Sequence, residues 1–563
     1  MATENKYSSL PLFDSKIDDL ASIVEEGARA DAKNTNRFIE PGLGTLRRAK
    51  NKRHQLIFGR RGSGKSSLIF KTAEELSNQN LPIVIVDLER FKGHQYPDII
   101  LSVLIATFNS LLLWIKDHIL KHHKLVLKSF FIKSEERKNL EKLSKEIEAI
   151  INSLNEQLHL TDLAKLTQSN TNSKKSIQKS NKKGTVNIDS LSTGFEGGKE
   201  KITENLGASQ ISEEYKRSKK DFLVRNILTY QEIFKKLNSI IGNDTYLFFD
   251  DLYHILRGDQ ASLIDYFHRI VKGNSAWLKI GTIKHRTSWY IHDPQPIGLK
   301  IGDDADEIDL DITLEKFRSS KEFLRKVLDI YVTESNCPNI DSFMVDGALD
   351  RLVLSSGGVA RDFLGLFRKA IDEAKERLRN PSKKAKRTKI GAEDVNLASG
   401  DYGELKKEEF QRDTLEDRQE LEEAFEKIKF FCLNKIKKNI FLVSQDLNDN
   451  NGKLIDELID LRLIHQVKSR VTVTNLPGKV FRAYLLDVSQ YTGERARRDV
   501  EMVDFWKDNN KDRIRLRSLI YNPQVSLEEL ETESVKRTNK ITPIYKKETD
   551  DPSLFDELDN EPI

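Results

Sequence analysis

Apolar residues in this chain follow two rhythms. Short near-continuous runs occur in HQLIF (Leu56, Ile57, Phe58), in LPIVIVDLE (Leu81–Glu89), at Tyr246–Phe249, in AWLKIGTI (Ala276–Ile283) and in DEIDLDI (Asp306–Ile312). Such runs predict strands buried on both faces of a parallel sheet. Between them the spacing changes to three and four. Residues 14–31 place Ile17, Leu20, Ile23 and Val24 on one helical face, and Leu68, Ile69 and Phe70 begin another helix. Residues 97–118, 221–241 and 262–271 continue the helical pattern. Strands alternating with helices predict a doubly wound α/β domain with a parallel sheet. From Leu314 the pattern turns all-helical, through KEFLRKVLDIYV, IDSFMVDGALDRLVLSSGG and VARDFLGLFRKAIDEAKERL.

The pattern changes character at 119–220. Residues 119–160 mix Lys and Glu with Leu and Ile at helical spacing, which predicts a charged helix or helical hairpin. Residues 167–220 are rich in Ser, Asn, Lys and Gly and predict a linker or disordered stretch. The segment reads as an insert in the α/β core, and its lysines as solvated or as contacts for nucleic acid.

The turn after the first strand carries the strongest chemistry. Gly59, Arg60, Arg61, Gly62, Ser63, Gly64, Lys65, Ser66 and Ser67 contain the G-x-x-x-x-G-K-[ST] pattern. Glycines let backbone N–H groups surround a phosphate, and the helix that follows offers its positive end. Lys65 would reach the β- and γ-phosphates of ATP, and the Ser66 hydroxyl would bind Mg²⁺. A second acid-bearing strand end, LFFDDL, supplies Asp250 for Mg²⁺ and Asp251 to activate a water. Ligands of open α/β sheets sit at such strand ends. Thr282, near the end of the next strand, either senses the γ-phosphate or satisfies its hydroxyl within the sheet edge. Arg361 in GGVARDFL opens a helix, as a lid arginine reaching the γ-phosphate or as a surface charge.

This order of P-loop, paired acids, polar strand end and Gly-x-x-Arg lid resembles the AAA+ ATPases, and most the origin-recognition and replication-initiator branch. The resemblance covers roughly residues 35–400 without the insert. It implies an ATP- and Mg²⁺-dependent ATPase that works as a homo-oligomer. It puts the sensor-two arginine on Arg361 and sensor one near Thr282. Asp251 stands where this branch usually has Glu, which implies slow hydrolysis. Paired Asp also occurs in STAND-type signalling ATPases. No motif assigns the arginine supplied in trans; Arg269 and Arg286 are candidates. Bacterial relatives include components of phage-defence and transposition systems.

Initiators of this type usually carry a C-terminal winged helix. Residues 416–435 read as a helix, NIFLVSQ as a strand, Lys453–Ile464 as a second helix and Val471–Val488 as a hairpin tipped by Pro477 and Gly478. The second helix carries Asp456, Glu457 and Asp460, and acids there repel a phosphate backbone. Lys468, Arg470, Lys479, Arg482, Arg495, Arg497 and Arg498 lie on the flanks. Non-specific double-stranded DNA and a partner effector protein are both candidate ligands of this unit. The segmentation is 1–34, N-terminal tail and helix; 35–118 and 221–313, α/β core; 119–220, insert; 314–400, helical lid; 401–492, winged-helix-like unit; 493–563, basic segment with RIRLR, then an acidic tail.

Composition narrows the class. At 563 residues the chain is long enough for two to four domains. A net charge of +4 leaves any nucleic-acid surface to a local patch. Cys337 and Cys432 form neither a zinc pattern nor a disulfide framework. The N-terminus has no apolar signal segment, and Ile99–Ile115 is interrupted by Thr107, Asn109 and Ser110. The expectation is a cytoplasmic protein without a membrane span. SLPLF (Ser9–Phe13) reads as a staple onto the body or as a docking peptide. No nuclease, protease or deaminase motif stands out, so an effector activity would reside in a partner.

Overall fold

The computed structural model describes residues 11–27, 29–124, 130–180, 196–379, 387–413, 418–447, 450–474, 476–493 and 500–532. Helix α1 (Ser15–Glu26) and short α2 (Thr45–Ala49) precede strand β1 (His54–Phe58) and α3 (Lys65–Ser77). Then come β2 (Ile83–Asp87), α4 (Asp98–Lys124), α5 (Phe130–Ser180), α6 (Glu196–Ile241), β3 (Thr245–Asp250), α7 (Arg257–Val271) and β4 (Ala276–Thr282). A two-residue hairpin, β5 (Tyr290–Ile291) with β6 (Ile297–Gly298), leads to β7 (Ala305–Asp309). The helical part comprises α8 (Phe317–Glu334), α9 (Ile340–Phe343), α10 (Asp346–Ser356), α11 (Ala360–Arg379), α12 (Ala392–Asp413) and α13 (Arg418–Phe430). Last are β8 (Ile440–Ser444), α14 (Asn450–Asp460), β9 (Ile464–Thr472) and β10 (Val480–Leu486).

All five expected core strands form, in one parallel sheet of order β2-β3-β4-β1-β7. Their apolar runs divide by the two-residue period of a strand. Leu56, Phe58, Leu247 and Phe249 face α4, α6 and α7, while Ile57, Tyr246 and Phe248 face α3. Both faces are therefore covered, as a parallel sheet requires. Helix α4 is the one described helix long and apolar enough to cross a membrane, over Asp98–Leu120. Yet 61% of that window is buried in the protein, largely under β2 and against α5.

Part of the stretch read as linker is helical: residues 167–180 belong to α5 and 196–220 to α6. Lys219, 1% exposed, anchors α6 by donating to Asp98 Oδ1 on α4 at 2.8 Å and to the Leu158 carbonyl of α5 at 3.1 Å.

Beyond Leu314, helices α8–α14 and the antiparallel sheet β8-β10-β9 share one continuous apolar core with α1. The expected boundary at 400/401 falls inside α12, so the segments on its two sides are joined by a helix rather than a linker. Leu12 is fully buried in the same core, as a staple would be; Ser9 and Leu10 lie outside the described residues. The helix expected through Ile464 stops at Asp460, because Arg462 takes a left-handed conformation (φ 62°) and turns the chain into β9. RIRLR forms short 3-10 turns instead of a strand edge. Arg495, Arg497 and Arg498, and the acidic tail, lie outside the described residues.

Candidate functional site

The carboxyl ends of β1, β2, β3 and β4 meet in register. Asp87 pairs with Asp250, and Phe58 with Thr282. The loop from β1 to α3 turns through Gly62 (φ 84°) and Gly64 (φ 101°), a backbone that L side chains rarely adopt. It opens onto a cavity of about 540 Å³ lined by Gly62, Ser63, Lys65, Ser66, Ser67, Asp250, Asp251 and Arg361, among others.

Lys65 lies over the loop and donates to the Gly59 carbonyl at 2.9 Å and the Arg60 carbonyl at 3.3 Å. Burial lowers its pKa, opposed by the charges of Asp251 and Asp250. Asp250 is 7% exposed, and its carboxyl is pushed up to about 7, first by burial and then by Asp251; a hydrogen bond from Ser66 and the charge of Lys65 oppose this. A buried carboxylate with too little positive charge beside it, next to a serine hydroxyl, is a donor set that fits Mg²⁺.

Asp251 leaves the strand in a left-handed conformation (φ 57°), and its N–H donates to Asp250 Oδ1 at 3.0 Å. The two acids thus diverge: Asp250 packs toward Ser66, while Asp251 approaches Glu89 and His254. The ligand atoms of Glu89, Asp251 and His254 all lie within 4.8 Å of one another. Sequence reasoning missed Glu89 and His254. Glu89 had a signal, as an acid just past the strand adjacent to Asp250.

Arg361 reaches the cavity because its N–H donates to the Gly62 carbonyl at 3.3 Å. Its side chain crosses Gly62 so closely that a methyl group there would meet Nε at 2.7 Å. Thr282 is fully buried. Thr287 Oγ1 donates to the Ile283 carbonyl at 2.7 Å, so the 2.5 Å contact between the two hydroxyls has Thr282 donating to Thr287. The Thr282 hydroxyl is therefore hydrogen-bonded to the loop that follows its own strand.

Arg60 departs from its expected place. It does not line the cavity but turns into the protein, 3% exposed, toward Asp311, Ile312 and Gly357. Arg269 on α7 and Arg286 after β4 do not line the cavity either. The same cavity is also lined by Phe38, Ile39 and Pro41 and by Phe323, Val327 and Tyr331 of α8. The contribution of the α8 face to the cavity has no signal in the sequence. Arg37 ties the two sides, 2.7 Å from Glu334 and 5.1 Å above the Tyr331 ring.

A glycine-rich loop between the first strand and helix of a five-stranded parallel sheet is a P-loop NTPase-like arrangement. No family model matches the sequence, and no curated protein matches it. A solved structure of a Walker-type ATPase from Pyrococcus abyssi aligns over 79% of this chain and 92% of that one, at 12% identity and a TM-score of 0.36. At that similarity, what the site can do rests on its own geometry.

The acidic face of α14 packs against this core. Glu457 accepts from Arg257 Nη2 at 2.9 Å, and Asp460 accepts from the His285 N–H at 2.9 Å. Asp456 lies 3.9 Å from His285 and 4.0 Å from Arg482. These acids hold the unit on its own chain. Lys468, Arg470 and Lys479 on the β9–β10 hairpin are exposed.

Proposed function

We propose that this protein binds and hydrolyses ATP with Mg²⁺ and is an AAA+-type ATPase of the initiator-like kind. The observation that carries this is the convergence of Lys65, Ser66, Asp250, Asp251 and Arg361 on one cavity that apolar Phe38, Pro41, Phe323 and Val327 also line. Phe38, Pro41, Phe323 and Val327 would sandwich the adenine, and the N-terminal turn of α3 would take the phosphates. Lys65 moves from the loop carbonyls onto the β- and γ-phosphates. Ser66 and Asp250 would hold Mg²⁺, which when bound neutralises phosphate charge. Asp251 accepts the proton of the attacking water, and Arg361 brings a positive charge from the lid to the γ-phosphate.

In this reading residues 314–400 act as the lid and 401–492 as a winged-helix-like unit, and the protein works as a nucleotide-switched homo-oligomer in a DNA-associated complex, with antiviral defence as a candidate setting. The exposed Lys468, Arg470 and Lys479 favour a phosphate grip that is indifferent to sequence. A second reading has its own support. The α14 face is occupied by Arg257 and His285, as in a STAND-like switch that holds its C-terminal unit closed and gates a partner effector. Phosphate release measured with and without random-sequence duplex separates them. Stimulation that falls steeply with salt supports the DNA-associated ATPase. Turnover indifferent to duplex at low salt supports the switch. No Mg²⁺-dependent phosphate release under any condition rejects hydrolysis.

A further inference from the structure

Arg60 is a buried cation in the middle of the phosphate loop, yet its hydrogen bonds run away from the phosphate seat. Its N–H and Nε both donate to Asp311 Oδ1, at 2.9 and 3.2 Å. Its Nη2 donates to the Ile312 carbonyl and the Gly357 carbonyl, each at 3.0 Å. Ile312 lies just past the last core strand, and Gly357 ends α10 immediately before the turn that carries Arg361. An apolar side chain would fill this space at a lower desolvation cost. It would not tie three chain segments by directional bonds.

The other side of the same turn is closed by the C-terminal unit. Gly357 is left-handed (φ 59°), and a methyl group on it would meet His465 Nδ1 at 2.1 Å. His465 sits on β9, fully buried. Burial holds its ring neutral, so Nε2–H donates to Asp487 at 2.7 Å, and Asp487 also takes Lys406 at 2.6 Å. The adjoining Gly358 (φ 84°) lies so close to the Ile312 carbonyl that a methyl group would meet it at 2.3 Å. The lid turn is thus gripped between Arg60 of the phosphate loop and His465 of the C-terminal sheet, four residues before Arg361.

Resting on the ATP-binding reading above, we propose that Arg60 is a positioning residue: with Gly357 and His465 it makes the reach of Arg361 to the phosphate seat depend on how the C-terminal unit is docked. A ligand or partner that lifts β9 from Gly357 changes the placement of Arg361 without touching the nucleotide. A misplacement on the order of 1 Å at a reacting centre costs up to about a hundredfold in rate.

The test uses the full chain and reads ATP affinity, turnover and hydrogen exchange over residues 357–364. Arg60→Gln keeps ATP affinity within about threefold and lowers turnover about ten- to a hundredfold, and Arg60→Lys recovers part of the loss. Gly357→Ala loses turnover and gains exchange over 357–364, because its methyl group displaces the His465 ring. Gly357→Ala/His465→Ala recovers part of both, since the ring is gone while the left-handed strain on alanine remains. An Arg60→Gln variant that loses ATP affinity as severely as Lys65→Ala would make Arg60 a phosphate ligand and overturn the proposal. So would a double variant no better than Gly357→Ala. Should Arg60→Gln fail to fold, the glycine–histidine pair decides alone. Should the wild type bind no ATP, the ATPase reading fails, while the exchange data on that pair still decide whether His465 sets the turn.

Discussion

Gly281 and Asp250 share a space that admits only one side chain. A methyl group at Gly281 on β4 would meet Asp250 Oδ1 on β3 at 2.5 Å. The Asp250 carboxylate therefore leans across the neighbouring strand, which sets its distance from Ser66. Gly281→Ala should push the carboxylate out of place and raise the Mg²⁺ concentration needed for half-maximal turnover about tenfold or more. A Mg²⁺ titration of phosphate release reads this directly. An unchanged midpoint would mean that the carboxylate does not work from that position.

The two strand-end acids should separate by substitution. Asp251→Asn keeps ATP and Mg²⁺ bound but lowers turnover by about a hundredfold or more, because an amide accepts no proton from water. Asp250→Asn acts on the Mg²⁺ dependence instead. If Asp251→Asn turns over as the wild type does, the proton goes elsewhere; Glu89, in the cluster with Asp251 and His254, is then the next acid to substitute.

A pH dependence of stability originates at the opposite end of the sheet. His54 Nδ1 accepts the Leu278 N–H at 3.1 Å, and its ring packs 5.0 Å from His268. Burial first, then the charges of His268 and Lys279, lower its pKa from 6.5 to about 4. The neutral ring therefore stabilises the fold fully above pH 6.5, and this contribution is lost as pH falls toward 4. It amounts to roughly 3 kcal/mol at about 1.4 kcal/mol per pH unit. Denaturant midpoints should drop between pH 7 and pH 4.5, and the drop should be shallower in His54→Gln, whose amide oxygen can still accept from Leu278. An equal drop in both proteins would place the titration elsewhere.

Nucleotide should also drive self-association. An arginine supplied in trans stabilises transition-state charge on an open γ-phosphate. Arg269 and Arg286 stand outside the cavity of their own chain. Light scattering should show larger species with a non-hydrolysable ATP analogue than with ADP. A monomer under both conditions would favour the autonomous switch.

The core was legible because its signals are local. The central strands β1, β3 and β4 are short, mostly apolar runs buried on both faces, so composition alone marks them. The phosphate loop needs its glycines within a few residues of Lys65 and Ser66. What could not be read depends on contacts between distant segments. Phe323, Val327 and Tyr331 look like any apolar face of an amphipathic helix, and only the fold brings them to Phe38 and Pro41. Arg60 fits the loop pattern as well as Arg61 does; Asp311 and Gly357, about 250 and 297 positions away, turn it inward. The acids of α14 read as a surface hostile to phosphate, but their partners Arg257 and His285 lie in another part of the chain.

The nucleotide site is tested most directly by the binding of ATP to the wild type and to Lys65→Ala, measured by calorimetry with Mg²⁺ present. Lys65 lies over the glycine-rich loop, with its ammonium 2.9 Å from the Gly59 carbonyl. The wild type should bind ATP, and Lys65→Ala should lose about a hundredfold or more in affinity while its unfolding midpoint stays close to that of the wild type, because a charge on the β- and γ-phosphates is removed. Equal ATP affinity in the two proteins would contradict the nucleotide site itself.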